Sequence, residues 1–398
     1  MAPVPDGPLP RPGSCAVIGA GVLGACVAAR LAEAGIAVTL LEQAEPGSAA
    51  SRWSFAWLNS NDKAPRAYHD LNHAGMRAWA ALAAGPGGAP WYRPAGNIEW
   101  AADASGRARL AARVFRLTDW GYPARLIDAA EAAELEPSLQ LPESVAGCAW
   151  FPREGYLLTE VLVSHLAQAA VRSGAIVLTG EQGRVVGFDA SGGGAVRAAP
   201  TAAGQVVAAD AVVCCAGRWA GDLAALAGAA CPVPLVPWAT PGATAPGLVV
   251  RAGPVTPPGP SRVVHAPEVH LRPHLGGLVQ VEAPDAAVDL HTPEADLRRW
   301  AGELLRRARR AVRGLEDAEV VGYRVCVRPM PADGRTIAGW LPGARGLYVA
   351  VTHSGVTLAA HLARLITAEL ATSAVAAELA PYRPGRFAGQ ARHGQCGA

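Results

Sequence analysis

Residues 14–42 contain the pattern that most limits the fold of this chain: an apolar strand, a glycine-rich turn, a helix, and a second strand that ends in an acid. Residues 15–18 are predicted as the first strand, 25–34 as the helix and 36–41 as the second strand. The turn has G-x-G-x-x-G spacing, and Glu42 follows the second strand at the distance typical of a dinucleotide site. The pattern therefore predicts a parallel βαβ unit of an α/β domain.

Each residue of this motif has a physical role in holding a dinucleotide. Gly19 permits the tight turn, Gly21 lets the backbone approach a pyrophosphate, and Gly24 lets the helix pack closely on the strand. Free N–H groups at the helix start face the phosphates. Glu42 accepts a hydrogen bond from a ribose hydroxyl and would repel a 2′-phosphate, so the site favours FAD or NAD over NADP. A coincidental loop is the alternative, since 45 of the 398 residues are Gly.

Length and charge exclude several classes of protein. A chain of 398 residues that is 51% hydrophobic can bury a large core, in two domains or one elaborated domain. A net charge of +2 without long runs of either sign gives no indication of a nucleic-acid surface. No apolar stretch reaches the ~18 residues of a membrane span. The Pro-rich residues 1–13 lack the features of a signal peptide, so we expect a frayed tail and a cytoplasmic location.

The eight cysteines are scattered along the chain without C-x-x-C spacing, and several lie in apolar strand or helix patterns. We therefore expect buried thiols, with neither a disulfide framework nor a metal site.

Apolar periodicity predicts further α/β elements, with dinucleotide-type elements at the start, middle and end of the chain. The nucleotide-binding domain is therefore predicted to be discontinuous. The predicted helices are 67–84, 108–121, 128–135, 159–173, 292–313 and 355–371. The predicted strands are 91–101, 175–179, 211–217, 263–271, 278–281, 323–327 and 347–351, with a hairpin turn at 191–194.

Six motifs in this order resemble the D-amino-acid oxidase superfamily of FAD-dependent amine oxidoreductases, which includes glycine oxidase and the sarcosine oxidases. They are the glycine turn with Glu42, the Ser48 and Ser51 stretch, Gly155-Tyr156, and residues 215–219, 328–334 and 346–357. The resemblance covers about residues 14–387. An NAD-dependent dehydrogenase, the alternative among enzymes, shares only the first motif.

The resemblance implies an α/β fold with a discontinuous, Rossmann-like FAD-binding domain and an inserted α+β substrate domain built on an antiparallel sheet. The FAD-binding domain would comprise residues 14–64, 147–236 and 320–385. The substrate domain would comprise 65–146 and 237–319, and 1–13 and 386–398 would be flexible tails.

The resemblance also implies which residues hold the cofactor. The reduced flavin ring is an anion, and backbone amides where residues 352–355 enter the last helix could stabilise it. His353 is a candidate catalytic residue, or a helix cap together with Ser354. The implied FAD contacts are Gly19, Gly21, Val22, Leu23, Gly24, Glu42, Gln43, Ser48, Ser51, Arg52, Val185, Gly217, Trp219, Arg328, Ser354, Gly355, Val356 and Thr357.

Arg328 is the main candidate for binding substrate. In the glycine and D-amino-acid oxidases the arginine of this R-P-x-x-x-D-G motif holds the substrate carboxylate, and a planar guanidinium suits a bidentate pair. The alternative is an ion pair between Arg328 and a nearby acid such as Asp333.

Three positions differ from the sarcosine oxidases. Gln280 aligns with the lysine that activates oxygen, so fast reaction with oxygen is in doubt and a dehydrogenase becomes plausible. Thr357 aligns with a second lysine, near the substrate carboxylate. Cys326 aligns with the cysteine that is covalently bound to flavin, but an ordinary buried thiol is the simpler interpretation, so we expect non-covalent FAD.

The aromatic loop 52–59 supplies two more candidates. Trp53 or Trp57 could line an amine pocket through cation–π contact, or could pack in the core. The sequence as a whole predicts FAD-dependent oxidation of the C–N bond of an amino acid or secondary amine, with O2 or another electron acceptor. A flavin-carrying subunit whose partner supplies the chemistry is the alternative of another class, and the oligomeric state stays open.

Overall fold

The structure is a computed structural model that describes residues 11–85, 88–190 and 195–389. The predicted hairpin turn at 191–194, Cys396, and the predicted tails beyond 11–13 and 386–389 lie outside these residues. The described part of the chain contains two compact units, formed by segments 1–52, 159–237 and 328–398 and by segments 53–158 and 238–327.

Helices and strands alternate along most of the chain. The strands are β1 (Ser14–Ile18), β2 (Ala37–Glu42), β3 (Trp57–Leu58), β4 (Tyr92–Arg93), β5 (Asn97–Ala101), β6 (Arg125–Ile127), β7 (Gly147–Phe151), β8 (Gly155–Leu157), β9 (Ile176–Thr179), β10 (Ala198–Pro200), β11 (Val206–Ala208), β12 (Ala211–Cys214), β13 (Pro246–Gly253), β14 (Val263–Ala266), β15 (Val269–His274), β16 (Leu278–Glu282), β17 (Glu319–Val327), β18 (Ile337–Trp340) and β19 (Leu347–Val351). The helices are α1 (Val22–Glu33), α2 (Arg66–Ala83), α3 (Ala104–Asp119), α4 (Ala129–Leu135), α5 (Thr159–Arg172), α6 (Ala220–Leu226), α7 (Glu294–Ala311) and α8 (Gly355–Thr372).

The first unit is built on a sheet with the strand order β18-β19-β12-β1-β2-β9. All neighbours in it are parallel except β18, which is antiparallel to β19. Helix α1 packs against α5 and α8. A buried cluster that includes Ile18, Val212, Val349, Leu223 of α6 and Phe387 forms a core of this unit. This is the doubly wound arrangement, in which ligands bind at the carboxyl ends of the strands.

The second unit is built on a mostly antiparallel sheet with the strand order β17-β13-β16-β15-β14-β5-β7-β6. Side chains alternate between its two faces. Val250, Val281 and Leu271 pack with Leu304 and Ala308 of α7 in one core. Helix α3 packs against β5, β6 and β7, and a small sheet of order β3-β8-β4 completes the unit.

The α/β fold class is confirmed, but some elements differ from their predicted bounds. Helix α1 begins at Val22 rather than at residue 25, because Gly21 is extended and serves as its N-cap. The predicted strand 91–101 is divided between β4 and β5, which belong to different sheets. Strand β13, within the Pro-rich stretch 231–260, has no counterpart in the prediction.

The unit bounds also differ from the predicted domains. Segments 53–64, 147–158 and 320–327 belong to the second unit, because β3, β7, β8 and β17 pair with strands of that unit. Arg386 and Phe387, predicted to lie in a C-terminal tail, are packed: Phe387 is 3% exposed and joins the core of the first unit. Which unit holds cofactor and which holds substrate stays a prediction here.

Candidate functional site

The glycine turn of the first unit leaves no room for side chains at two of its positions. Gly19 has a positive φ of 94°, and a Cβ there would lie 2.7 Å from the carbonyl oxygen of Cys215. A Cβ on Gly24 would lie 1.8 Å from the carbonyl oxygen of Gly19. Val22 and Leu23, between these glycines, are buried. The turn is therefore closed tightly against the ends of β1 and β12.

Ser51 lies at the N-terminus of α1. Its Oγ accepts a hydrogen bond of 2.9 Å from the N–H of Val22, and a Cβ on Gly21 would lie 3.2 Å from the same oxygen. Thr159, the first residue of α5, donates to the carbonyl oxygen of Ser51 at 2.6 Å and fixes this segment. The hydroxyl of Ser51 is therefore a hydrogen-bond acceptor at the N-terminus of α1, the position at which backbone N–H groups of a helix bind anions.

Two backbone amides hold the side chain of Glu42, the predicted ribose-binding residue, and one of them belongs to the glycine turn. Its Oε2 accepts from the N–H of Ala20 at 2.7 Å, and its Oε1 accepts from the N–H of Ala44 at 3.1 Å. Burial raises the pKa of this carboxyl and the backbone hydrogen bonds oppose the shift. Each carboxylate oxygen can accept a second hydrogen bond, so either oxygen of Glu42 can also accept one from a ribose hydroxyl.

Gly183 is a further residue of this region that the sequence analysis missed. A Cβ there would lie 2.4 Å from the carbonyl oxygen of Glu42 and 2.2 Å from that of Leu178. The glycine therefore lets the chain after β9 close against the end of β2. A Gly four residues after the predicted strand 175–179 was the available signal.

The other predicted contacts at the start of the chain surround this turn. Ser48 is half-buried and its N–H donates to the carbonyl oxygen of Glu45, while Gln43 and Arg52 are exposed. Val185 is half-buried, and an isolated bridge joins it to Thr201.

The carboxyl ends of β12 and β19 bring more of the predicted residues to the same edge of the sheet. Gly217, with a φ of 58°, begins a short turn that ends at Trp219, whose ring lies 4.2 Å from the guanidinium of Arg218. After β19, Thr352 Oγ1 accepts from the N–H of Ser354 at 3.1 Å, and α8 begins at Gly355. Strands β1, β12 and β19 are parallel neighbours, so the glycine turn, Gly217 and Ser354 lie at one edge.

The start of α8 presents backbone amides of Gly355, Val356 and Thr357 at the positive end of a long helix. Thr357 is buried, at 3% exposed. The side chain of His353 is exposed. Ser354 is the N-cap by position, but its side chain makes no capping hydrogen bond.

Arg328 follows β17 directly and its side chain is exposed. The alternative partner, Asp333, is held by other arginines. Its two oxygens accept from Arg386 at 2.9 and 3.1 Å, and Arg335 lies 3.3 Å away. Burial, the largest single influence, raises the pKa of Asp333, but the hydrogen bonds from Arg386 and from the N–H of Arg335, together with the charges of both arginines, outweigh it and lower the pKa. The loop passes beside Gly217, since a Cβ built on that glycine would lie 3.9 Å from Cβ of Pro329.

In the second unit, Gln280 lies between two arginines on the sheet face opposite α7. It is 0% exposed, and it is in register with Arg251 of β13 and Arg272 of β15. Its Nε2 donates to the carbonyl oxygen of Ser54 at 2.5 Å. Two guanidinium groups therefore flank this neutral residue. We call Arg251, Gln280 and Arg272 the arginine row.

The two predicted tryptophans have different surroundings. The guanidinium carbon of Arg251 lies 4.1 Å from the centroid of the Trp53 ring. Trp57 donates from Nε1 to the buried carboxyl of Glu154 at 2.9 Å, and its ring lies 4.1 Å from that of His265. The contacts of Trp57 favour the core-packing interpretation.

Cys326 is 8% exposed in β17. None of the seven described cysteines is part of a disulfide. Within the described ranges no group of three or more His, Cys, Asp or Glu residues could hold a metal ion. Among the described helices, none is long and apolar enough to cross a membrane.

Comparison with known proteins agrees with this geometry. The sequence profile of the DAO family, described as FAD dependent oxidoreductase, matches residues 14–369. Glycine oxidase from Geobacillus kaustophilus is 27% identical over 391 residues, covering 94% of this chain and 97% of that protein. Its crystal structure superposes with a TM-score of 0.79 at 26% identity, covering 94% of this chain and 99% of that one.

L-proline dehydrogenase from P. horikoshii has the same fold, with a TM-score of 0.81 at 19% identity over 95% of this chain and 98% of that chain. The profile match extends over most of the chain, from the first strand of the glycine motif into α8. The protein therefore belongs to the DAO family of FAD-dependent oxidoreductases, and its cofactor is FAD.

Proposed function

We propose that this protein oxidises the C–N bond of an amino acid or secondary amine, with FAD held by the first unit. The observation that carries the proposal is that Pro329, the neighbour of Arg328, lies beside Gly217 at the carboxyl edge of the parallel strands: a Cβ built on Gly217 would be 3.9 Å from Cβ of Pro329. An arginine next to this edge could hold a substrate carboxylate close to a bound dinucleotide.

The residues at this edge fit FAD. Gly19 and Gly24 close the turn, and Gly21 keeps the backbone at the start of α1 open to a pyrophosphate. Ser51 and the first amides of α1 would hold the phosphates, and Glu42 the ribose. The amides at the start of α8 would stabilise negative charge on the ring system. When bound, FAD supplies the acceptor for a hydride from the substrate carbon.

The chain's own contribution is to bind and orient the substrate. Arg328 would hold a carboxylate through two parallel N–H donors, which fixes the adjacent carbon in one orientation. Because the carbon loses hydride rather than a proton, no strong protein base is required. Loss of hydride from the neutral amine leaves an iminium ion, which releases its N–H proton to water to give an imine. Water then hydrolyses the imine to a carbonyl compound and an amine or ammonia.

The names of related proteins support an amino-acid substrate. Glycine oxidase is the relative at 27% identity, and proteins named L-proline dehydrogenase and L-amino acid deaminase share the fold. The family match argues against the NAD-dependent alternative. The acceptor is O2 or another oxidant. Gln280 is neutral where the sarcosine oxidases have a lysine, so slow reaction of the reduced enzyme with oxygen stays a prediction.

We also propose that FAD is bound without a covalent bond. Cys326 is the only residue that aligns with a family tether, and Gln280 and Thr357 stand where the sarcosine oxidases have lysines. Acid precipitation should therefore release the yellow colour into the supernatant. Colour that stays in the pellet, and is lost in Cys326→Ser, would contradict this.

The function is tested by an anaerobic screen of amino acids and amines for bleaching of the flavin absorbance. We expect bleaching by at least one carboxylate-bearing amine with no partner protein present. If the purified yellow protein is bleached only after a second protein is added, it is a flavin-carrying subunit and the proposal is wrong.

A further inference from the structure

The loop that carries Arg328 ends at Thr336, and a second buried threonine faces it at the end of the β18–β19 pair. These strands are antiparallel with Ile337 opposite Val351, so Thr336 and Thr352 occupy the next opposite position. Thr336 is 0% exposed and Thr352 is 3% exposed. The Oγ1 of Thr336 donates a hydrogen bond of 2.9 Å to Oγ1 of Thr352. Threonine hydroxyls paired across two strands stabilise one register and one spacing of those strands.

Thr352 extends this contact to the start of α8. Its Oγ1 also accepts a hydrogen bond of 3.1 Å from the N–H of Ser354, the residue before the helix. A hydroxyl oxygen has two acceptor positions, and these two hydrogen bonds use both of them. Because Thr336 restricts rotation of the Thr352 side chain, it also restricts the turn through which the chain enters α8.

The same loop is connected to the other end of α8 through the C-terminal segment. Arg386 donates to both oxygens of Asp333 and, at 3.1 Å, to the carbonyl oxygen of Arg335. Its Nη1 donates to the carbonyl oxygen of Arg383 at 3.3 Å. Arg383 in turn donates from Nη1 to Oε2 of Glu369, near the C-terminal end of α8, at 3.0 Å. The loop is therefore connected to α8 at both ends of the helix.

Glu369 is a fixed attachment point because it is buried, at 6% exposed. Besides Arg383, its carboxylate accepts from the hydroxyl of Tyr348 at 2.7 Å and from the N–H of Ala376 at 2.7 Å. Tyr348 belongs to β19, the strand that leads to Thr352. All of these residues lie in the first unit. The loop, β19 and α8 are thus joined by hydrogen bonds between buried groups, and a shift of the loop would change the contacts at the first turn of α8.

We propose that Thr336 and Thr352 are positioning residues, which fix the first turn of α8 relative to the loop that carries Arg328. This role rests on the proposed function, in which the backbone amides of that turn stabilise negative charge on the flavin ring. Without the hydroxyl of Thr336, the Thr352 side chain can rotate and the turn loosens, so the amides no longer keep one orientation toward that charge. The reduced flavin carries the charge, so its binding weakens more than that of the oxidised form.

The test uses the full-length, FAD-loaded protein and Thr336→Val, which removes the hydroxyl at nearly unchanged volume. The reduction potential of bound FAD is measured against a reference dye with a chemical reductant. We expect reduced FAD to bind about tenfold more weakly relative to oxidised FAD, which lowers the two-electron potential by about 30 mV. Thr336→Ser keeps the hydroxyl and should keep the wild-type potential. Thr372→Val, at an exposed threonine at the other end of α8, should also leave it unchanged.

Two further measurements separate a positioning role from a purely structural one. Hydrogen exchange at residues 353–358 should be at least ~10-fold faster in Thr336→Val, because the loss of one hydrogen bond makes local opening easier. Thr352→Val removes the same hydrogen bond from the other side, should shift the potential in the same direction, and serves as the test variant if Thr336→Val does not fold. Because Thr336 acts through Thr352, adding Thr336→Val to Thr352→Val should shift the potential no further.

A folded Thr336→Val protein with a lower unfolding temperature but the wild-type potential would show a purely structural hydrogen bond and overturn the proposal. Additive shifts in the double variant would overturn it as well. The potential is measured without an amine, so the result is independent of the proposed oxidation. A lowered potential in a protein that no amine bleaches would support the positioning role and contradict the oxidation. Bleaching by an amine, with an unchanged potential in Thr336→Val, would do the reverse.

Discussion

Gly21 and Ser51 face each other at the start of α1: a methyl group on Gly21 would lie 3.2 Å from the Ser51 hydroxyl oxygen. That oxygen already accepts from the N–H of Val22. The contact is with the end of a small side chain that can rotate, so the fold can tolerate a substitution here. A bound pyrophosphate, in contrast, must approach the backbone at this residue.

We therefore expect Gly21→Val to give folded but colourless protein. Circular dichroism should show retained structure, and the flavin absorbance after gel filtration should be lost. Gly302→Ala is the matched control, because the Cβ meets nothing within 4 Å in the interior of α7. It should keep full FAD and raise the free energy of unfolding by up to ~1 kcal/mol. Folded Gly21→Val with full flavin occupancy would refute the assigned site.

The sequence predicted best those elements whose residues lie close together along the chain. The βαβ unit could be predicted because a strand, a G-x-G-x-x-G turn and a helix follow one another within thirty residues. Its geometry explains why: Gly24 contacts the backbone of Gly19, which is near in sequence, and Gly19 contacts the backbone at the adjacent end of β12. The start of α1 was misplaced because Gly24 reads as part of the turn, although it is the third residue of the helix.

The arginine row was missed because it depends on pairing between distant strands. Strand β13 lies in a Pro-rich stretch, and its neighbours β16 and β17 follow much later in the chain. Its residues 248–252 are apolar except for Arg251 and show no clear alternation, so the sequence alone does not assign Arg251 to a face of the sheet. The sequence analysis singled out the aromatic loop, but Arg251, which stacks on Trp53, lies 198 residues away in sequence.

The ion pair between Asp333 and Arg386 fixes the loop that carries Arg328. Asp333→Asn would remove the negative charge of this carboxylate and weaken the two hydrogen bonds that it accepts from Arg386. We expect KM for a carboxylate-bearing substrate to rise about 10-fold with normal FAD content, because the loop would be less well positioned. Breaking the exposed pair of Arg364 with Glu378 by Arg364→Met should leave KM unchanged. If Asp333 acts through Arg328, adding Asp333→Asn to Arg328→Ala should cause no further loss. An additive loss would show an independent role.

Glu154 is a buried carboxyl in the second unit, at 0% exposed. It accepts hydrogen bonds from Tyr122 at 2.6 Å, Trp57 at 2.9 Å and Asn97 at 3.0 Å. Burial raises its pKa to about 8 and these hydrogen bonds oppose the shift. The folded protein therefore holds its proton at a pH where the unfolded chain, with a pKa of 4.5 for this group, has lost it.

The sign of the pH effect follows from this difference. Because the folded state binds the extra proton, the free energy of unfolding should fall as pH rises from about 4.5 to 8, by on the order of a few kcal/mol from this group. Glu154→Gln cannot ionise and should lose this slope. Thermal unfolding at half-unit steps from pH 5 to 8.5 measures it. Parallel curves for wild type and variant would show that Glu154 is already ionised in the fold.

Arg328 connects the fold to the chemistry. Arg328→Ala would remove a charge-assisted bidentate contact and leave the substrate acid poorly aligned. We therefore expect kcat/KM to fall by at least ~100-fold, which corresponds to a loss of roughly 3 kcal/mol in transition-state stabilisation. Arg328→Lys should recover little of the lost activity, because a point charge does not reproduce the planar fork. Both variants should keep their flavin, since Arg328 is exposed and its loop is held through the hydrogen bonds of Asp333 with Arg386. Arg345→Ala, at another exposed arginine of the first unit, is the control and should be fully active. A matched amine without a carboxylate should be a poor substrate of the wild type, and Arg328→Ala should worsen it little. Unchanged turnover of a carboxylate-bearing substrate by Arg328→Ala would show that Arg328 does not bind the acid, and would leave an amine without an acid group as the substrate.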